Sequence, residues 1–348
     1  MQDLSNIPVD ELKADDILSV PDGQPEILFK PDAEGIKQRF RQMAKLWHPD
    51  LHGGDAQAKK VFEHVTSLKD IANARFAAGT WQTPGHLMVT ETKTNKSFVI
   101  DYVRKRDFEL GEMYIGGDTV AFAVKKDYAD LFENARKVIS GLPYANDAMR
   151  KECEKYVPAL QATIETADRL IMVVKKDPHQ VLLADVLDHF GGKTDPKHAA
   201  WILSTLHNLT CYTNYAGIAH NALALDTYFI DPEGHTGTLL GGWWYAAKAG
   251  QDLKGLPAQT VTVAPPDLLE SGKADPRVDL ILLRHIGRSL LGDPMGMALA
   301  RDKAVPASLT NWLTLPPTSN AFTDYKTWME KVLPESFGAR RYVKMDVS

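Results

Sequence analysis

Between residues 32 and 72 the apolar positions fall into two helical stripes. The first is Ile36, Phe40, Met43 and Trp47, whose steps of four, three and four put all four on one helix face. Asp32 stands just ahead of it, where a carboxylate can accept from the free amides of a first turn. The second stripe is Ala58, Val61, Phe62, Val65, Leu68 and Ala72, with Asp55 as its cap. Pro49 cannot continue the first helix and pushes His48 out of the α region, while Gly53-Gly54 reads as a loop. The pattern predicts two antiparallel helices zipped along their stripes, with His48-Pro49-Asp50 exposed at the connecting tip. Lys37, Arg41 and Lys45 lie four apart on the opposite side of the first helix, with Arg39 nearby.

Past a linker around Thr80, Trp81 and Pro84 the period shortens. Residues 86–94, 97–105, 108–115 and 119–125 read as strands, with turn signals at Asn95-Lys96 and Gly116-Gly117-Asp118. A helix is expected over 129–140, then strands over 157–166 and 169–175. From Gln180 the pattern is mostly helical: 182–190, 196–215 and 278–291. Trp312, Tyr325 and Trp328 predict a tail packed on that helical half. The expected fold class is α+β: an all-α hairpin, then a β-rich lobe and a helical lobe. The expected boundaries are 1–24 for an extension, 25–80 for the hairpin, 81–86 for the linker, 87–177 and 178–295 for the lobes, and 296–348 for the tail.

A chain of 348 residues suffices for two or three domains with their own cores. A net charge of −5 argues against nucleic acid as a partner, so the basic helix is a local feature. Cys153 and Cys211 cannot build a disulfide framework, and with no signal-peptide core or membrane-length apolar run the expectation is a cytoplasmic protein off the membrane. The eleven histidines are scattered, and none pairs at metal-ligand spacing on one predicted helix, so no metal or cofactor is expected.

His48-Pro49-Asp50 between two zipped helices, with the basic face of Lys37, Arg39, Arg41 and Lys45, resembles the J-domain of DnaJ-type co-chaperones. The resemblance covers about residues 25–80. It implies a DnaK-type chaperone as partner, with the tripeptide triggering its ATPase and the basic face docking on its acidic surface, an attraction that mainly sets on-rate and orientation. Two departures stand out. Only Ile27-Leu28-Phe29 occupies the end of the family's short leading helix, although residues 9–18 could substitute. Ala77-Ala78-Gly79 replaces the basic terminal helix.

Residues 90–295 resemble the protein-kinase fold in organisation. A long helix leads to Gly217-Ile218-Ala219-His220-Asn221-Ala222-Leu223, then Tyr228-Phe229-Ile230-Asp231, then Leu239-Leu240-Gly241-Gly242-Trp243. The order also resembles a group of bacterial and phage proteins in which a J-domain precedes a kinase-like body. The chemistry departs from the family. Ala222 stands where the Asp that orients the substrate hydroxyl belongs, and Ala224 where a Lys is usual. Thr227 and Gly241 or Gly242 replace the two Mg²⁺ ligands. No Gly-rich loop is visible, since the turn between the first two predicted strands is Asn95-Lys96. Lys125 in one register, or Ala123 in the other, matches the phosphate-pairing Lys, with Glu133 as its helix partner; Lys125 is equally readable as a solvated strand-end residue. Asp226 is the acid left in the loop and reads as a capping residue.

The expected protein is thus a J-domain co-chaperone with a catalytically inactive, pseudokinase body that adapts it to a client the sequence does not name. An atypical kinase or nucleotide-binding protein using Lys125 and Asp226 is the first alternative. A J-domain serving as decoy or scaffold is the second.

Overall fold

The computed structural model describes residues 4–21, 24–51, 53, 55–78, 81–83, 85–339 and 341–347. His52, Gly54, Gly79, Thr80 and Pro84, on which parts of the tip and linker expectations fall, lie outside these residues. The chain is an α+β protein that divides into two compact units. One comprises Met1–Gly117, Ala121–Lys126 and Thr163–Met172; the other comprises Asp118–Val120, Asp127–Ala162 and Val173–Ser348.

The first unit opens with α1 (Ala14–Leu18), α2 (Ala33–Trp47) and α3 (Ala56–Ala78). The Asp32 carboxylate accepts from Gly35 N at 2.8 Å, and Asp55 Oδ1 accepts from Gln57 N at 3.1 Å, so both predicted caps close their first turns. Ile36 and Met43 are fully buried with Val61, Val65, Leu68 and Ala72, and Phe40 and Trp47 pack at the rim of the same core. The leading element is found upstream of Ile27-Leu28-Phe29: Val9–Glu11 forms one 3₁₀ turn, α1 packs on α3, and Pro25–Ile27 is a second single turn. Val9, Leu12, Ile17, Val20, Ile27, Leu28 and Phe29 all join the core.

A three-stranded sheet follows: β1 (Gln82–Thr83), β2 (His86–Thr90) and β3 (Ser97–Asp101), in the order β1-β2-β3 with antiparallel neighbours. Next come β4 (Arg104–Phe108), β5 (Gly111–Ile115), β6 (Thr119–Lys125), α4 (Ala129–Ser140), α5 (Asp147–Cys153), β7 (Leu160–Glu165) and β8 (Arg169–Lys175). A five-stranded sheet has the order β4-β5-β6-β8-β7. Two predicted strands are therefore divided. The span 97–105 breaks at Tyr102-Val103, where Tyr102 N donates to Gly85 O of one sheet and Val103 N to Ile115 O of the other. The span 108–115 breaks at Glu109-Leu110, a tight turn into Gly111, where any Cβ would collide with the Ala123 carbonyl oxygen. Asn95-Lys96 accordingly turns a hairpin of the small sheet, and the first hairpin of the five-stranded sheet turns at Glu109-Leu110-Gly111.

The rest of the second unit runs β9 (Val181–Leu182), α6 (Leu183–His189), α7 (Pro196–Tyr215), β10 (Ile218–Ala219), β11 (Tyr228–Asp231), β12 (Thr236–Leu239), β13 (Ala247–Lys248), α8 (Ala258–Val263), α9 (Pro266–Leu269), α10 (Arg277–Leu290), α11 (Ala307–Thr314), α12 (Ala321–Thr327) and α13 (Leu333–Phe337). Helix α7 starts with Pro196 just after the cap Asp195, whose carboxylate accepts from Lys197 N. The tail packs on α7 and α10 as its aromatic residues predict. Arg284 and Asp324 form a buried two-pronged pair at 2.9 and 2.7 Å, the guanidinium lies over Trp312, and Trp328 Nε1 donates to Ser204 Oγ.

Candidate functional site

The tip of the α2–α3 hairpin is built by Pro49. His48 leaves the helix at φ −65°, ψ 128°, and Pro49–Leu51 forms one 3₁₀ turn closed by Leu51 N donating to His48 O. The His48 ring stands edge-on to Phe62 with centroids 5.1 Å apart, so its orientation is set by the second stripe. Asp50 N donates to His48 Nδ1 at 3.3 Å, which leaves the ring proton on Nε2 in the neutral form. The Asp50 carboxylate lies 3.5 Å from Nδ1 and is 86% exposed. The tip therefore presents a carboxylate and an oriented imidazole to solvent.

Lys37, Arg41 and Lys45 are exposed along α2, Lys37 lying 3.8 Å from Glu34 in an exposed i,i+3 pair. Arg39 departs from the expectation that it shares their face. Its Nε donates to Leu28 O at 2.6 Å, and its Nη2 donates to Leu4 O at 2.6 Å and Ile7 O at 3.0 Å. The guanidinium fork ties the leading segment to α2. The exposed basic face therefore comprises Lys37, Arg41 and Lys45, because a residue two positions from Arg41 is turned some 200° around a helix.

In the second unit, residues 220–227 form a closed loop held from beneath by α10. The buried Asp279 carboxylate accepts from His220 N at 2.7 Å and Asn221 N at 2.8 Å, and burial pushes this carboxyl up to about 7. His220 is fully buried, with Nε2 3.1 Å from Gly241 O and Nδ1 accepting from Ala222 N, and burial holds it down to about 3. Asn221 sits at φ +63°, and its side-chain amide donates to Ala219 O and Tyr245 O. The Thr227 hydroxyl lies between Ala222 O and Ala224 O, both at 3.1 Å, and also accepts from Ala224 N. A Cβ on Gly242 would come within 2.6 Å of His220 Cε1. His220, Asn221, Ala222, Thr227, Gly241 and Gly242 are thus brought together by bonds among themselves and to Asp279, Ala219, Ala224 and Tyr245, while the buried Asn221 Oδ1 has no hydrogen-bond partner among the described residues. Asp226 is exposed at the edge of this loop.

Lys125 is exposed at the end of β6, and Ala121 and Ala123 are buried with their neighbours on both faces of that strand. The Glu133 carboxylate takes two hydrogen bonds of 2.7 Å from Arg136 and lies 3.6 Å from Lys137, one turn along α4; these bonds hold it down to about 2. Its ion pairing is local to its helix. Among the described residues no group of three or more His, Cys, Asp or Glu side chains is placed to hold a metal ion, and no helix is long and apolar enough to cross a membrane.

Asp279 carries more of this site than the sequence reading gave it. The available signal was an acid beside Val278, Leu280, Leu282 and Leu283 in the first turns of an amphipathic helix, which must find donors when buried. The inward role of Arg39 had no comparable signal. No protein-family model matches the chain, and no curated protein matches it.

Proposed function

We propose that this protein is a J-domain co-chaperone that recruits a DnaK-type chaperone and stimulates its ATPase. The observation that carries the reading is the His48-Pro49-Asp50 turn at the tip of two packed helices, with Asp50 exposed and His48 and Pro49 half-buried, beside a solvated face of Lys37, Arg41 and Lys45. The kinase-like body is, on this reading, a catalytically inactive adaptor for a client. In support, Ala222 has no group to orient a hydroxyl, the Thr227 hydroxyl is spent on its own loop, and Gly241 and Gly242 offer no side-chain ligand to Mg²⁺.

A single-turnover ATPase assay with a DnaK-type chaperone tests the proposal. Wild type should accelerate hydrolysis, and Asp50→Asn should abolish the acceleration at unchanged fold, since the side chain is solvent-exposed. Equal stimulation by the variant would overturn the trigger assignment. Binding without stimulation by wild type would favour the decoy.

A further inference from the structure

Strand β3 is the outer strand of the three-stranded sheet. Its pairing with β2 fixes where each peptide group points. Glu91 N donates to Lys96 O, and Tyr102 N donates to Gly85 O. Residues 96, 98, 100 and 102 therefore turn their N–H and C=O groups toward β2. Ser97, Val99 and Asp101 turn theirs outward, where no backbone partner meets them among the described residues. Soluble proteins blunt such an edge with lysine, proline, a bulge or a covering element. Ser97-Phe98-Val99-Ile100-Asp101 has no lysine or proline and keeps regular register with β2 throughout, and its single charge, at the end of the strand, is paired with His86 Nδ1 at 2.6 Å. Phe98 is 40% exposed and Val99 60% exposed, and the adjoining Val103 is 83% exposed.

We propose that this edge pairs with the same edge of a second copy of the chain, antiparallel about a two-fold axis at Val99. A closed two-fold contact requires a self-complementary patch, and β3 is one. Val99 exchanges N–H···O=C bonds with its own counterpart. Ser97 exchanges them with Asp101 of the second copy, its hydroxyl facing that carboxylate. Phe98 falls opposite Ile100 of the second copy at the close, non-hydrogen-bonded position, where apolar side chains gain most from pairing. No like charges are placed opposite one another. An unrelated extended segment could use the free N–H and C=O groups, but this match of side chains arises when β3 runs against itself.

The test uses the full chain. Sedimentation over a concentration series should show a monomer–dimer equilibrium, and Val99→Lys, which sets two ammonium groups opposite each other at the axis, should raise the dissociation constant by about tenfold or more, with the melting temperature unchanged when both proteins are compared at dilutions where they are monomeric. Val99→Cys should form a symmetric disulfide dimer on mild oxidation, because hydrogen-bonded antiparallel pairs hold Cα atoms about 5.5 Å apart, inside the range a disulfide spans. Wild type, with Cys153 and Cys211 only, gives the background under the same oxidation. A monomer at all concentrations with no cross-link above background overturns the proposal. So does a dimer indifferent to Val99→Lys, which would lie on another surface. A monomer that binds an extended apolar peptide through Val99 would reassign the edge to client segments and also overturn it.

Discussion

Replacing Arg39 by alanine separates a structural arginine from a docking one. The guanidinium makes three hydrogen bonds to main-chain carbonyls, those of Leu28, Leu4 and Ile7, at 2.6, 2.6 and 3.0 Å. Bonds to a charged donor contribute about 1.5–3 kcal/mol each when sheltered. Arg39 is only half-buried, so water can serve the freed carbonyls and the sum must be discounted to about 2–3 kcal/mol. That loss falls on the leading segment, whose contacts with α2 and α3 are apolar apart from a few such ties. Hydrogen exchange read by mass spectrometry on the full chain measures it directly. In Arg39→Ala, protection of the amides in 4–29 should fall by about 30- to 160-fold, at about 1.4 kcal/mol per factor of ten. Arg39→Lys should recover only part, because an ammonium cannot span the fork from Leu28 O to Leu4 O. Arg41→Ala should leave protection unchanged. If Arg39→Ala and Arg41→Ala gave the same exchange pattern and both slowed chaperone association alike, Arg39 would be a docking residue and the assignment made from its hydrogen bonds would be refuted.

Three further outcomes are expected. Reversing charge at Arg41 and Lys45 together should slow association with a DnaK-type chaperone and leave dissociation nearly unchanged, and raising salt should reproduce the effect in wild type, since exposed charges are screened beyond about 8 Å at physiological ionic strength; stopped-flow rates that ignore both changes would count against the docking face. Asp279→Ala should destabilise the second unit by about 2–6 kcal/mol in urea titrations, because the buried amides of His220 and Asn221 each lose their acceptor at about 1–3 kcal/mol apiece. Acid should also weaken the fold. His207 and His220, held down to about 3, contribute stability that is full above 6.5 and is lost as pH falls toward 3, while Asp279, pushed up to about 7, contributes in the opposite sense between 7 and 3.8. Between pH 6 and 4 these three groups together bind about one proton more in the unfolded chain than in the folded one, so their share of stability should fall by about 1.4 kcal/mol per unit of acidification, with His198 and His285, also lowered by burial, adding in the same sense. His207→Phe should flatten that slope, and a slope unaltered by it would show that His207 is protonated in the folded protein.

The contrast between what could be read in the sequence and what could not follows from the range of each interaction. Asp32 and Asp55 cap helices that begin at the next residue, and the stripes from Ile36 to Trp47 and from Ala58 to Ala72 repeat every turn, so a short window contains the whole signal. The tip at His48-Pro49-Asp50 follows from one proline. The aromatic tail was legible by residue type, because Trp312 and Trp328 bury too much apolar surface to stay in water. Arg39 looked like its neighbours Lys37 and Arg41 because a helix face is assigned by spacing, and its true partners lie 11 to 35 residues away along the chain. The hairpin at Asn95-Lys96 was legible as a turn but not as part of a separate small sheet, since strand membership is decided by which carbonyl Tyr102 and Val103 find.

The loop at 220–227 joins both kinds of information. Against the kinase-like reading, Ala222, Ala224, Thr227 and Gly241 or Gly242 were readable position by position as lacking the groups that phosphoryl transfer would use. Asp279, 58 and 59 residues from the amides it accepts, nevertheless keeps the loop closed, with Asn221 at a positive φ and Thr227 bridging two carbonyls. Holding a backbone in shape and ligating a metal make separate demands on side chains. Ala222, Gly241 and Gly242 satisfy the first demand by their small size and cannot meet the second. On the proposed kinase-like reading, the loop keeps its backbone shape while Ala222, Thr227, Gly241 and Gly242 supply none of the side-chain groups that phosphoryl transfer would use. If the adaptor reading proposed above holds, a partner is met by other surfaces of this body, since the loop supplies neither a metal ligand nor a group to orient a hydroxyl.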